Sequence, residues 1–211
     1  MPKIVDLSHR LHTGMPTYRG DRPVPKVDTI EKNGITISSI HLGSHMGTHM
    51  DAPKHFIPVG KSLGEISPDK FIGKALCLDK FGADAEIDLS EDDIGLLGSF
   101  KPDWVLLYTG HARLWGDETY FSNHPYPSVL LVKTLMKMNV SGLGVDFPSI
   151  DSASAEKEGY LVHHLWLGAG CLAIENLCGL HQLPNRTAVD IFALPLNIDT
   201  DGAPARVIVI L

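Results

Sequence analysis

Six short runs of apolar and β-branched residues, each bounded by turn residues, constrain the fold of this chain more than any other feature: residues 35–41, 75–78, 104–108, 142–146, 188–193 and 206–211. Runs of this length and composition read as strands rather than helices. Two helix signals interrupt them. Ser90 precedes Glu91-Asp92-Asp93 and then Ile94, Leu96 and Leu97, which offers an N-cap with a carboxylate at the third helical position. A second helix is predicted from Pro127 or Ser128 to Met138, with Val129, Leu130, Val132, Leu135 and Met136 on its apolar face. Short strands and helices without a regular β-α-β cadence imply an α/β or α+β domain around a mixed sheet. The run at 206–211 has no polar interruption after Arg206, so it is expected to be buried in the sheet or in a subunit interface.

The 211 residues suit one domain, 1–211, and the scattered Pro and Gly show no linker that would divide it. The net charge of -7, without a Lys/Arg cluster, argues against nucleic acid as a partner. No window approaches the ~18 apolar residues of a membrane span, so neither membrane nor leader is expected and the cytoplasm is the expected location. Cys77, Cys171 and Cys178 are odd in number and widely spaced, which indicates buried small side chains rather than disulfides or a thiolate metal site.

The chemistry concentrates between positions 41 and 55. Four of the eleven histidines (His41, His45, His49 and His55) fall there together with Asp51. Imidazole nitrogens and carboxylate oxygens are the donors that Zn²⁺, Mn²⁺ and Fe²⁺ take, and close spacing lets one stretch of backbone present several of them. His45, His49 and Asp51 are therefore the first candidate ligands, with His55 beside them. Gly47 and Pro53 discourage a regular helix, which places the segment on a strand end or structured loop. His41 alone reads as a surface or hydrogen-bonded residue.

A second cluster spans 160–177, where Glu175 interrupts an apolar run. A carboxylate there either meets a cation or ends the buried stretch at the surface. Periodicity does not separate His163 from His164. Asp146, Ser149 and Asp151 follow a strand and could orient ligand histidines or cap the next helix.

The segment His45-x-Gly47-Thr48-His49-x-Asp51-x-Pro53-x-His55 resembles, without a gap, the hallmark of the bacterial kynurenine formamidase and cyclase family, and similarity runs on through Asp6-Leu7-Ser8-His9, Thr109-Gly110, 144–151 and 163–177. The resemblance implies an α/β domain with a small barrel-like, swivelling β/α/β core and peripheral helices. It also implies a homodimer or higher homo-oligomer. It further implies zinc, as one or two ions, with manganese as the alternative. His45, His49 and Asp51 would hold the first ion, and Asp51 would bridge to a second. The family's distal His and Glu lie twelve residues apart, a spacing that His163 and Glu175 match and His164 does not. His55 would be the general acid/base.

The resemblance implies a metal-dependent hydrolase cleaving a small amide, such as the arylformamide N-formylkynurenine, or a cyclic amide or ester, through a hydroxide activated by metal. An isatin-type lactam is the alternative substrate. Where formamidases of the family carry a Trp near the N-terminus, this chain has Thr17-Tyr18-Arg19-Gly20-Asp21, and Arg19 either faces an anionic group or is a solvated loop residue. Two further readings stay open. A mononuclear Fe²⁺ oxygenase would use His49, Asp51 and a distant histidine on a jelly roll, and a non-catalytic metal-binding protein would have a closed coordination sphere.

Overall fold

The computed structural model describes residues 2–18, 20 and 24–211. Arg19 lies outside the described residues. In chain order the elements are β1 (Ile4–Asp6), β2 (Lys26–Lys32), β3 (Ile35–His41), β4 (His49–Asp51), β5 (Ile72–Asp79), β6 (Glu86–Ile87), α1 (Glu91–Phe100), β7 (Trp104–Tyr108), β8 (Tyr126–Pro127), α2 (Val129–Lys137), β9 (Gly142–Val145), α3 (Ala155–Glu158), α4 (Leu161–Gly168), β10 (Leu172–Glu175), β11 (Ala188–Pro195) and β12 (Gly202–Ile210).

β12 lies between two neighbours and closes the main sheet. Its one edge pairs with β11, while its other edge pairs with β4 at Gly202–Pro204 and with β1 at Ile208–Ile210. The circuit β12-β11-β5-β7-β9-β10-β4 returns to β12, making a closed mixed barrel whose β5, β7, β9 and β10 run parallel. The terminal strand, expected in the sheet or an interface, is therefore in the sheet, and it starts four residues earlier than the apolar run that announced it.

Alternation along the strands builds two cores. Ala75, Cys77, Trp104 and Leu106 face the barrel interior with Met50, Ile174, Val207 and Val209, whereas Leu76, Leu78, Val105 and Leu107 pack outward with Leu131, Leu135 and Trp166 of the helices. Burial on both faces explains the nearly continuous apolar runs of the parallel strands. Gly142 admits the Trp104 indole: a Cβ there would sit 2.1 Å from its ring. The helices begin as expected, with Ser90 Oγ accepting from the Asp93 amide and Ser128 Oγ from the Leu131 amide.

β2 and β3 form a separate antiparallel ribbon, in register from Lys26 opposite His41 to Lys32 opposite Ile35, and every residue of it is exposed. Among the described residues no helix is long and apolar enough to cross a membrane.

Candidate metal centre

β4 and β10 run antiparallel with Glu175 directly opposite His49 and Ala173 opposite Asp51. Because side chains alternate, Met50 and Ile174 enter the barrel interior, and His49, Asp51 and Glu175 share the other face. His163, on α4, meets them from above that face. Asp151 fixes its approach: one carboxylate caps α4 by accepting the Val162 and His163 amides (2.9 and 3.0 Å) and takes the His163 Nδ1 proton at 2.6 Å. Asp151 thus orients His163, and the helix it caps is α4 rather than α3, the next one in the chain. His164 points to the exposed side of the helix.

Each imidazole faces both carboxylates, through different oxygens. His49 Nε2 lies 3.3 Å from Asp51 Oδ1 and 3.4 Å from Glu175 Oε2. His163 Nε2 lies 3.7 Å from Asp51 Oδ2 and 3.4 Å from Glu175 Oε1. Donors bound at ~2.0–2.1 Å on a tetrahedral ion stand ~3.3 Å from each other, so the spacings fit a shared cation better than direct hydrogen bonds, which need ~2.7–3.2 Å. His49 Nε2 and Asp51 Oδ2 are also buried without a hydrogen-bond partner among the described residues. His45, His49 and Asp51 form one group able to hold a metal, and Asp51, His163 and Glu175 form another, with Asp51 common to both.

Burial should strip protons from these histidines, but the carboxylates outweigh it. Hydrogen bonds to Asp201 and Asp51 raise the His45 pKa to about 9, the charges of Asp51 and Glu175 raise His49 to about 10, and His163 rises well above its ordinary value. Glu175 is held at about 2 and Asp51 well below the usual carboxylate range, despite burial and their mutual repulsion. The cluster keeps two buried anions and requires positive charge among them, which a divalent cation supplies in place of protons.

The surroundings hold the donors rigid. His49 Nδ1 donates to Gly47 O (2.9 Å), and Asn176 Nδ2 donates to the same carbonyl (3.0 Å). Asn176 Oδ1 accepts the Tyr120 hydroxyl, and its backbone carbonyl accepts the Thr48 hydroxyl. Asp146 has a different task from Asp151: it binds the Thr109 and Gly110 amides, tying the loop after β7 to the end of β9.

His45 reaches Asp51 Oδ1 with Nδ1 (2.7 Å), and its Nε2 reaches Asp201 Oδ2 (2.8 Å). His55 follows Pro53 in a single 3-10 turn, stacks on the His45 ring at 3.9 Å, and approaches the same Asp201 oxygen with Nδ1 at 3.1 Å. The structure thus brings together every ligand and acid/base candidate named from the sequence: His45, His49, Asp51, His55, His163 and Glu175. It adds Asp201, which sequence reading missed because its partners lie 156 and 146 residues away and only its place before Gly202-Ala203-Pro204 sets it apart. His41, on the ribbon, takes no part.

Beside the donors opens a cleft of about 260 Å³ lined by Tyr18, Phe56, Trp115, Phe121 and Tyr160, with Ser149, Ser152 and Asn176 as polar edges. The size suits a small ligand and the lining a flat apolar one. Trp115, stacked on His9 at 4.0 Å, and Phe121 carried no sequence signal.

A barrel with packed helices is not the jelly roll that the oxygenase reading required, and His45 and His55 are both engaged. Fold and donor set define a class of protein whose His/Asp/Glu cluster, at the mouth of an aromatic cleft, is able to hold a metal ion. The chain belongs to the cyclase family: the family described as "Putative cyclase" matches residues 5–152. Over 207 residues it is 30% identical to a kynurenine formamidase of Geobacillus thermodenitrificans, covering 96% of this chain and 94% of that one. Among solved structures, isatin hydrolase A from Labrenzia aggregata bound to benzyl benzoate superposes with a TM-score of 0.86 at 27% identity, over 100% of this chain and 94% of that one. A predicted metal-dependent hydrolase from Bacillus stearothermophilus superposes at 0.81 with 28% identity, over 100% and 98%.

Proposed function

We propose that the protein hydrolyses a C–N bond of a small, flat aromatic amide, an arylformamide such as N-formylkynurenine or the lactam ring of an isatin. His45, His49, Asp51, His163 and Glu175 hold one or two divalent ions, zinc first and manganese as the alternative, and His55 is the general acid/base. The observation that carries this reading is the pair of buried carboxylates, each facing two imidazoles beside an aromatic cleft. The similarity to a kynurenine formamidase and to an isatin hydrolase supports it.

A bound divalent ion supplies what the side chains lack, lowering the pKa of a water towards neutrality and polarising a carbonyl. The chain does the rest. Tyr18, Trp115 and Phe121 present apolar surface to an aryl ring, leaving its amide towards the histidines. The His55 imidazole takes a proton from the attacking water and returns it to the leaving nitrogen. The Gly47 carbonyl and Asp151 keep His49 and His163 in the ring orientation that aims Nε2 at the carboxylates.

The test is turnover of N-formylkynurenine and of isatin by zinc-loaded and manganese-loaded protein, with His55→Ala as control. The variant should keep its metal and lose roughly 10² to 10⁴ in turnover. Turnover of neither compound with either metal, or an undiminished His55→Ala variant, would refute the assignment.

The partner proposed besides substrate is a second copy of the chain. A two-stranded ribbon is marginal by itself in water, and β2–β3 exposes Ile30, Ile35, Ile37 and Ile40 at 56–65%. The cytoplasm is the proposed location, which the three free cysteines suit.

A further inference from the structure

We propose that Asp201 is the positioning residue of the acid/base: it holds the Nδ1 proton of His55, so that Nε2 is the nitrogen offered to the cleft, and it couples that ring to His45. The inference rests on the reading of His55 as acid/base.

One oxygen does both tasks. Asp201 Oδ2 accepts from His55 Nδ1 at 3.1 Å and from His45 Nε2 at 2.8 Å, and the two rings stack at 3.9 Å and 30°. A neutral imidazole carries one proton, and the hydrogen bond made by one ring nitrogen decides which nitrogen is bare. With the carboxylate on His55 Nδ1, the bare nitrogen is Nε2, and the imidazolium formed during proton transfer has an anion beside it. On His45 the same carboxylate faces Nε2 at 2.8 Å, while Asp51 Oδ1 faces Nδ1 at 2.7 Å.

The carboxylate is mounted firmly. The Asp201 carbonyl accepts the Ala52 amide (2.9 Å) at the end of β4, and Gly202 opens β12. Only glycine fits there, because a Cβ at 202 would lie 2.6 Å from His45 Cε1. Backbone contacts to the strand that carries His49 and Asp51 thus place Asp201, so the acid/base and the metal donors keep one spacing. Asp201 is 38% exposed in its side chain, and ion pairs this open contribute little to folding. A structural role is therefore the weaker account.

The experiment compares wild type, Asp201→Asn, His55→Ala and the double variant, all zinc-loaded, with N-formylkynurenine and isatin as probes and ¹⁵N-histidine spectra recorded alongside. Asp201→Asn should keep its zinc and its melting temperature, lose about 10- to 100-fold in kcat with little change in KM, and mix the His55 tautomers. In the His55→Ala background the same change should cost less than about twofold, since a residue acting through another adds little once that one is gone. An equal loss in both backgrounds, a fall in zinc content in Asp201→Asn, or a wild-type His55 protonated on Nε2 would each overturn the inference; a fall in zinc would make Asp201 a ligand with His45 and His55, which lie close enough to form such a group. Full turnover in Asp201→Asn with loss in His55→Ala sinks this inference alone, whereas full turnover in His55→Ala sinks the reading beneath it.

Discussion

The β4–β10 cradle and the β2–β3 ribbon are both antiparallel strand pairs, and they set their side chains in opposite surroundings. The cradle buries His49, Asp51, His163 and Glu175 to 5% exposure or less, while the ribbon leaves Ile30, Ile35, Ile37 and Ile40 more than half exposed. Burying a charge costs several kcal/mol unless it is matched, and each isoleucine kept in water forgoes about 1.5–3 kcal/mol of burial. Buried charge and clustered exposed apolar surface are the two departures from ordinary packing that carry information. One is a place able to hold a cation, and the other is the surface proposed to meet a second copy of the chain.

The strongest blow to this comparison falls on the residue that serves both halves of the cradle. Asp51→Ala removes a carboxylate faced by His45, His49 and His163. Zinc affinity should fall by more than the ~10- to 100-fold that loss of a supporting hydrogen bond costs, with hydrolysis lost alongside, as metal analysis after dialysis would record. Full zinc in the variant would mean that the buried charges serve packing alone.

How much of this could be read from the chain follows the distance over which each interaction acts. β3, β7 and α2 came out nearly to the residue, and α1 at its start, because their signals are local: alternation or apolar runs, and a Ser cap three residues from its partner. The candidate ligands on 45–55 were legible because one stretch carries them. His163 could not be separated from His164 by periodicity, since the choice depends on how Asp151 caps α4, and only the family's spacing indicated it. The closure of the barrel by β4 and β12, and Asp201 with it, join residues some 150 apart, and no local pattern encodes such a pairing. Trp115 and Phe121 lie in an irregular segment where aromatic residues carry no period to read.

The ribbon offers the next test. Ile30 and Ile37 are cross-strand partners, so Ile30→Glu with Ile37→Glu puts two charges side by side on one face. If that face packs against a second copy, each change should weaken association by about 2 kcal/mol, or roughly 30-fold in Kd. Sedimentation equilibrium should then show the dimer giving way to monomer. A wild type that is monomeric at micromolar concentration would remove the ribbon from the comparison.

The smallest effect sharpens the comparison by supplying a half-buried histidine whose ring meets no carboxylate among the described residues. His9 stacks on Trp115, and its Nε2 has no hydrogen-bond partner among the described residues. Burial lowers its pKa from 6.5 to about 4, the reverse of what the carboxylates do to His45 and His49. The unfolded chain binds this proton below 6.5 and the folded chain only near 4, so the contribution to stability is complete above 6.5 and is lost as the pH falls between those values. His9→Phe keeps a ring against Trp115 and removes the titration. Urea unfolding of the two proteins at matched metal content should differ little in slope with pH above 7, and by pH 5 the wild type should have lost about 1 kcal/mol more than the variant, the figure being reduced for partial exposure. Parallel pH profiles would show that His9 meets a charge or a water when folded, and that burial without a partner is not what separates it from the histidines of the cradle.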